Sequence, residues 1–169
     1  TEDLTTLTAA GLRSFVQIGH GGYDDDNDHS GDISINVGET VFFSGGGGTD
    51  SYAQIGHGGT NAEGTNSSVI TIDATGSISF GGGSGLRSYA QIGNGGYRDT
   101  GGLDLDASGD ISITSGGDMG LTAGSGIRSY AQFGHGGYSN DGDHSGAIAV
   151  NATGQLTVNG GSASRSAAQ

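Results

Sequence analysis

One eleven-residue block decides what this chain can fold into, because it returns along the whole length. Arg13-Ser14-Phe15-Val16-Gln17-Ile18-Gly19-His20-Gly21-Gly22-Tyr23 recurs as residues 50–60, 87–97 and 128–138, and its glutamines Gln17, Gln54, Gln91, Gln132 and Gln169 are spaced 37, 37, 41 and 37 residues apart. A period of that size marks an array whose units bury a shared core by stacking. A second block follows each first one: Ile33-Ser34-Ile35 then Val41-Phe42-Phe43; Ile70-Thr71-Ile72 then Ile78-Ser79-Phe80; Leu103-Asp104-Leu105 then Ile111-Ser112-Ile113; Ile148-Ala149-Val150 then Leu156-Thr157-Val158. Nearly all alternate apolar and polar residues, the period-two pattern of short strands with one buried face. Gly, Asn, Asp and Ser turns separate them.

Composition shows why only a repetitive fold is open to this chain. It has 169 residues, 38 of them Gly, with no Pro, Cys or Trp and a net charge of −13. Leu, Ile, Val and Phe make up less than about a fifth of it, a pairing of low apolar content and high charge that ordinarily leaves a chain disordered. Stacked coils escape that outcome because each needs only a narrow apolar strip and satisfies its backbone through its neighbours.

The pattern therefore predicts an all-β, right-handed parallel β-helix, with about one coil of three short strands per 37–41-residue repeat. Residues 1–169 form a single solenoid segment, with repeats at 13–49, 50–86, 87–127 and 128–164 and a fifth beginning at 165. Two smaller coils per repeat are the alternative; the Ser-Tyr-Ala-Gln strand occurs once per period and favours one. The four extra residues of the third repeat are placed around Asp118-Met119-Gly120-Leu121-Thr122, as an added strand and turn. Since Arg165-Ser166-Ala167-Ala168-Gln169 opens another copy, the array is expected to continue, and any export signal to lie upstream or to have been removed.

In a stack, equivalent positions become columns. Gln17, Gln54, Gln91 and Gln132 are expected to form an amide ladder running along the axis. Arg13, Asp50, Arg87 and Arg128 form a charged column in which Asp50 bridges Arg13 and Arg87, while the sequence gives Arg128 no partner. Residues two apart share a face, so Val16 and Ile18 with their equivalents are assigned to the core. Phe15, Tyr52, Tyr89 and Tyr130, beside the glutamines, face either outward as a ligand-binding stripe or into a cleft beneath a folded-over loop.

His20, His57, Asn94 and His135 sit in a glycine-rich corner. Transition-metal ligation is one reading there; corner stacking with hydrogen bonds is favoured, since Asn94 interrupts the column. Asp24, Asp26 and Asp28, with Asp141 and Asp143 in the matching loop, are candidate calcium ligands because clustered carboxylates suit a hard ion. Their spacing fits neither a helix-loop-helix calcium loop nor the glycine-rich calcium nonapeptide, and Arg98 beside Asp99 weakens a shared ion column; a solvated acidic loop is the alternative.

The Gly-Asp-Ile-Ser-Ile stretch from Gly109 and the Ala-Thr-Gly segments at Ala74–Phe80 and Ala152–Val158 resemble the repeats of filamentous haemagglutinin-like exoproteins. That resemblance implies a secreted bacterial β-helical surface protein used in adhesion, aggregation or contact-dependent competition. The expected function is thus an extracellular or cell-surface structural and adhesive segment that is not an enzyme. Its expected partners are further copies or a continuing fibre and surface glycans. A pI near 4.2 excludes nucleic acid, and no apolar run is long enough for direct membrane insertion. A calcium-binding assembly module is the alternative, and a polysaccharide-cleaving β-helix enzyme a further one. Catalysis needs a locally unique acid and base, whereas here Asp and His recur with the repeat.

Overall fold

The computed structural model describes residues 2–7, 11–97 and 105–169. After β1 (Leu4–Leu7) the first turn holds β2 (Phe15–Ile18), β3 (His29–Ser30), β4 (Ile33–Val37) and β5 (Val41–Ser44). The second holds β6 (Tyr52–Ile55), β7 (Gly64–Ser67), β8 (Ile70–Ala74) and β9 (Ile78–Gly81). The third holds β10 (Tyr89–Ile92), β11 (Leu105–Ser108), β12 (Ile111–Ser115) and β13 (Met119–Thr122). The fourth holds β14 (Tyr130–Phe133), β15 (His144–Ser145), β16 (Ile148–Ala152) and β17 (Leu156–Asn159), and β18 (Ala167–Ala168) opens the next.

Every strand pairs only with its equivalents one turn away, always in parallel, in four sheets ordered β1-β5-β9-β13-β17, β2-β6-β10-β14-β18, β3-β7-β11-β15 and β4-β8-β12-β16. The chain is a parallel β-solenoid with one coil per repeat. Each coil has four strands, not three. The strand missed in the sequence is the short one beginning at His29, Gly64, Leu105 or His144, which carries apolar alternation only in Leu105-Asp106-Ala107-Ser108.

Register also moves the insertion. Ile111 stands over Ile70, Ser115 over Ala74 and Met119 over Ile78, so β13 is the ordinary fourth strand of its turn and not an extra unit. Because Leu105 pairs with Gly64, the four additional residues lie between Tyr97 and Leu105. Leu103, Asp104, Arg98 and Asp99 fall outside the described residues, and Leu105 belongs to the missed sheet rather than to the isoleucine column.

The main core is the inward face of three sheets. Val41, Phe43, Ala53, Ile55, Ile70, Ile72, Ile78, Phe80, Ala90, Ile92, Ile111 and Ile113 are all buried. Of the residues predicted for that face, Ile18, Ile55, Ile92 and Phe133 with Ala53, Ala90 and Ala131 do lie on it, while Val16, at the first turn, is half-buried and outside the cluster. Stacking them at strand spacing brings like onto like, and the Phe43 and Phe80 rings lie 5.0 Å apart and 6° from parallel.

Glycine is obligatory where two turns nearly touch. Gly56 has φ +144°, and a Cβ there would overlap the carbonyl of Gly93 in the next turn. Gly120, on β13, has open space where its Cβ would be. Gly56→Ala is therefore expected to destabilise the chain by more than the ~1 kcal/mol of an ordinary glycine effect. Gly120→Ala is expected to be neutral or to stabilise by up to ~1 kcal/mol through the unfolded chain. Urea unfolding of the two variants beside the parent measures both.

Candidate functional site

The Tyr-Ala-Gln-Ile strands have no exposed face. Their Ala and Ile side chains enter the main core, while Tyr52, Tyr89, Gln54 and Gln91 are 0% exposed on the other side. The chain folds back after each strand, and the glycine-rich strip 56–60, 93–97 or 134–138 runs over the Tyr-Gln face. These strips are themselves joined through parallel bridges Gly21–Gly58, Gly58–Gly95 and Gly95–Gly136. Of the two readings given to the aromatic stripe, the covered one describes this structure; Tyr52, Tyr89 and Tyr130 are not displayed to a ligand. Phe15, at the first turn, is 44% exposed.

Beneath the strips the rings form one continuous column. Phe15 to Tyr52, Tyr52 to Tyr89 and Tyr89 to Tyr130 are separated by 4.9, 4.8 and 4.7 Å, within 4° of parallel. Burial pushes the Tyr52, Tyr89 and Tyr130 hydroxyls above their ordinary range, so they stay protonated as hydrogen-bond donors.

The glutamines stand in register, but their amides do not chiefly bond one another. Gln54 Nε2 donates to the carbonyls of His57, Gly93 and Gly95 at 3.1, 3.0 and 2.9 Å. Gln91 repeats this with Gly134 and Gly136 at 3.0 and 2.9 Å, and its Oε1 accepts from the Tyr130 hydroxyl at 3.3 Å. An amide-to-amide bond occurs at the last step, from Gln169 to Gln132 at 3.2 Å. The column is thus a set of rivets: each amide fixes its own strip and the next one to the sheet below. Without an amide there, the buried carbonyls of Gly93, Gly134 and Gly136 would lose their side-chain donor, while those of His57 and Gly95 also accept from backbone.

The charged column behaves differently from expectation. Arg87 grips Asp50 with Nε–Oδ1 at 2.6 Å and Nη2–Oδ2 at 3.0 Å, a two-point ion pair with Asp50 only 3% exposed. Arg13 does not share it; its guanidinium lies 4.3 Å over the Tyr23 ring. Arg128 finds its partners in Tyr97 and Tyr138, donating to the Tyr97 hydroxyl at 3.2 Å while lying 5.3 Å over the Tyr138 ring. Arg13, Asp50, Arg87, Arg128 and Arg165 all have φ of 58–60°. This left-handed turn costs a non-glycine residue on the order of 1–2 kcal/mol.

The carboxylates proposed for calcium are not gathered. Asp28 accepts the backbone N–H of Thr65 at 2.7 Å, and Asp24 accepts from the Asn61 amide at 3.1 Å, both one turn on. Asp143 donates its N–H to Asp106 at 2.9 Å, and Asp26, Asp141 and Asp143 have exposed side chains. Among the described residues no three His, Asp or Glu side chains converge on a point that would hold a metal. Asp28 thus caps the next turn's backbone and Asp24 its Asn61 side chain.

The histidine column is committed as well. His57 Nδ1 accepts the backbone N–H of His20 at 2.9 Å, and its Nε2 faces the Gly31 carbonyl at 2.9 Å. Neither ring nitrogen is left for a metal. Sequence reasoning missed Ser51, Ser88 and Ser129, all 0% exposed. Ser88 Oγ reaches the carbonyls of Gly46 and Ser51 at 2.6 and 2.7 Å, and the serine column was visible in every copy of the repeat. Comparison of the chain with protein-family models, with curated proteins and with solved structures gives no match.

Two substitutions gauge the rivets. Gln91→Leu takes the side-chain donor from the two buried carbonyls of Gly134 and Gly136 and is expected to cost about 2–4 kcal/mol, whereas Gln17→Leu, at the half-exposed first turn, is expected to cost less than about 1 kcal/mol. Chemical denaturation of both variants under identical conditions is the check.

Proposed function

We propose that this chain is a structural repeat segment of an extracellular or cell-surface array, and that it serves adhesion by offering the same groups from turn to turn. The observation that carries the reading is the unbroken register. Tyr, Gln, Ser and Ile columns stay aligned across every turn, even past the four-residue insertion. Nearly all distinctive side chains are spent on joining one turn to the next, which suits a stiff spacer whose surface is distributed and which is not an enzyme. The resemblance to filamentous haemagglutinin-like exoproteins supports the surface location and the adhesive role. Glycans of a host or neighbouring cell, and further copies of the array, are the partners this reading assigns.

Retention of chain-coated beads on intact cells, compared with cells stripped of surface glycans, tests the adhesive part. Binding that falls on glycan removal is expected; beads that bind neither surface would discard the adhesive role and leave the spacer. A second measurement concerns the ion. With no three acidic or histidine side chains converging on a point among the described residues, melting curves in excess calcium and in excess chelator are expected to superimpose. A calcium-dependent rise in Tm would return Asp24, Asp26, Asp28, Asp141 and Asp143 to the role of ligands.

A further inference from the structure

The glycine-rich strips are fastened at their second residue, and the fastener is neutral histidine in two turns and asparagine in one. In the second turn, His57 Nδ1 accepts the N–H of His20 at 2.9 Å, which obliges Nε2 to carry the proton that it donates to the Gly31 carbonyl at 2.9 Å. In the fourth turn, His135 Nδ1 accepts the N–H of Asn94 at 3.1 Å, and its Nε2 donates to the Gly109 carbonyl at 2.7 Å. One tautomer satisfies both contacts, and it is uncharged.

The third turn is fastened without a ring, by the same acceptor bond and a different donor bond. Asn94 Oδ1 accepts the N–H of His57 at 2.9 Å, as Nδ1 does elsewhere. Its Nδ2 donates to the Ser108 carbonyl at 2.9 Å, in its own turn, where the histidine Nε2–H reaches back to the turn before. The shorter side chain is met by Ser68, whose hydroxyl donates to Asn94 Oδ1 at 2.9 Å, in the turn position that Gly31 and Gly109 hold under the histidines. Asn94 is therefore a non-titrating copy of the histidine fastener.

We propose that His57 and His135 form an acid-released latch: a proton taken up at Nδ1 turns that acceptor into a donor facing the N–H of His20 or Asn94, and the strips lift from the Tyr-Gln face. The proton comes from solvent, no other bond forms or breaks, and neutralisation reverses the step. What opens is a cryptic stripe of stacked tyrosines and glutamine amides that is closed at neutral pH.

The surroundings favour the neutral ring. For His57, burial is the leading cause of a lowered pKa; the Gly31 hydrogen bond opposes it, and His20 and His29 add to it. His29 in turn has Asp25 at 3.3 Å. For His135, burial again leads, Gly109 opposes, His144 adds, and Asp110 pulls weakly the other way. A histidine whose folded pKa is depressed binds fewer protons folded than unfolded. Its contribution is thus complete above the unfolded value of about 6.5 and is lost as pH falls from there through the folded pKa.

The chain supplies its own probe. All six tyrosines lie either under the strips or at their ends, and there is no Trp, so tyrosine fluorescence reports the latch while far-UV circular dichroism reports the coil. Acrylamide quenching of the intact chain is measured between about pH 8 and pH 5. Quenching is expected to rise with acid while the dichroism holds, the opening equilibrium growing about tenfold per unit of pKa depression at each histidine. In a His57→Asn/His135→Asn variant, built on the Asn94 pattern, the rise should vanish. Asn94→His, a separate variant, should steepen it and remains informative should the double variant not fold. Unchanged quenching in the parent across this range, or an equal acid response in the double variant, overturns the latch.

Discussion

Parallel stacking in strict register is the constraint on which everything else rests. Each side chain must tolerate its equivalent at about strand spacing, 4.7–4.9 Å in the ring column, above and below. Apolar and aromatic residues meet this with gain, and amides and hydroxyls meet it when they turn to backbone carbonyls. Glycine meets it where two turns come too close for any Cβ. So the sequence repeats residue types rather than mere hydrophobicity, and a chain with few apolar residues still builds a dry interior. The apolar area is small per turn but continuous along the axis.

Charge is the hardest thing to repeat, and its placement follows from the same constraint. Carboxylates directly above each other would repel at strand spacing, yet the chain carries a net charge of −13. In one column the acid appears in alternate turns: Asp32 accepts the N–H of Val69, and Asp110 that of Ala147. In another the acids stand three turns apart: Asp3 accepts from Thr40, and Asp118 from Gln155, with uncharged Thr40 and Ser77 between them. Asp106 and Asp143 are an adjacent pair, and there the N–H of the second is turned to the carboxylate of the first. Much of the acidity that first suggests ion binding thus caps backbone N–H groups of the next turn, and in two columns the acids are kept two or three turns apart.

Much of this was legible in the sequence, and what was not has specific causes. Gln17, Gln54, Gln91 and Gln132 fixed the coil length because an identical side chain marks an identical place. The fourth strand escaped notice because β3 and β15 are only two residues long and β7 is Gly-Thr-Asn-Ser, so hydrophobic alternation has nothing to grip. A signal did exist: Ser30, Ser67, Ser108 and Ser145 are spaced 37, 41 and 37. That column puts the insertion ahead of Ser108, whereas Leu103-Asp104-Leu105 imitated the isoleucine strand and drew the alignment off register. Side-chain direction around Gln54 was also readable, but not that Gly56–Thr60 would double back to cover it, since a cover depends on the φ angles of several consecutive glycines and not on any pattern of polarity.

Breaks in the columns reveal what the unit of constraint is. Where Arg gives way to Asp50, the strip tyrosine gives way in the same turn to Thr60, so the guanidinium-over-ring contact seen for Arg13 on Tyr23 and Arg128 on Tyr138 is withdrawn at both ends together. Where His gives way to Asn94, the glycine of the facing turn gives way to Ser68, which supplies the reach the shorter side chain lacks. In both cases one column changes only with the column it touches. Stacking like on like does not account for these exchanges, and both reach a neighbouring turn: Asp50 takes the Arg87 guanidinium of the next one, and Ser68 lies in the turn before Asn94. They join unlike columns, so a strip and the segments it touches are specified together. The solenoid is thus held by two sets of contacts, a uniform one within each column and a matched one between columns, and the second is where a turn acquires properties of its own.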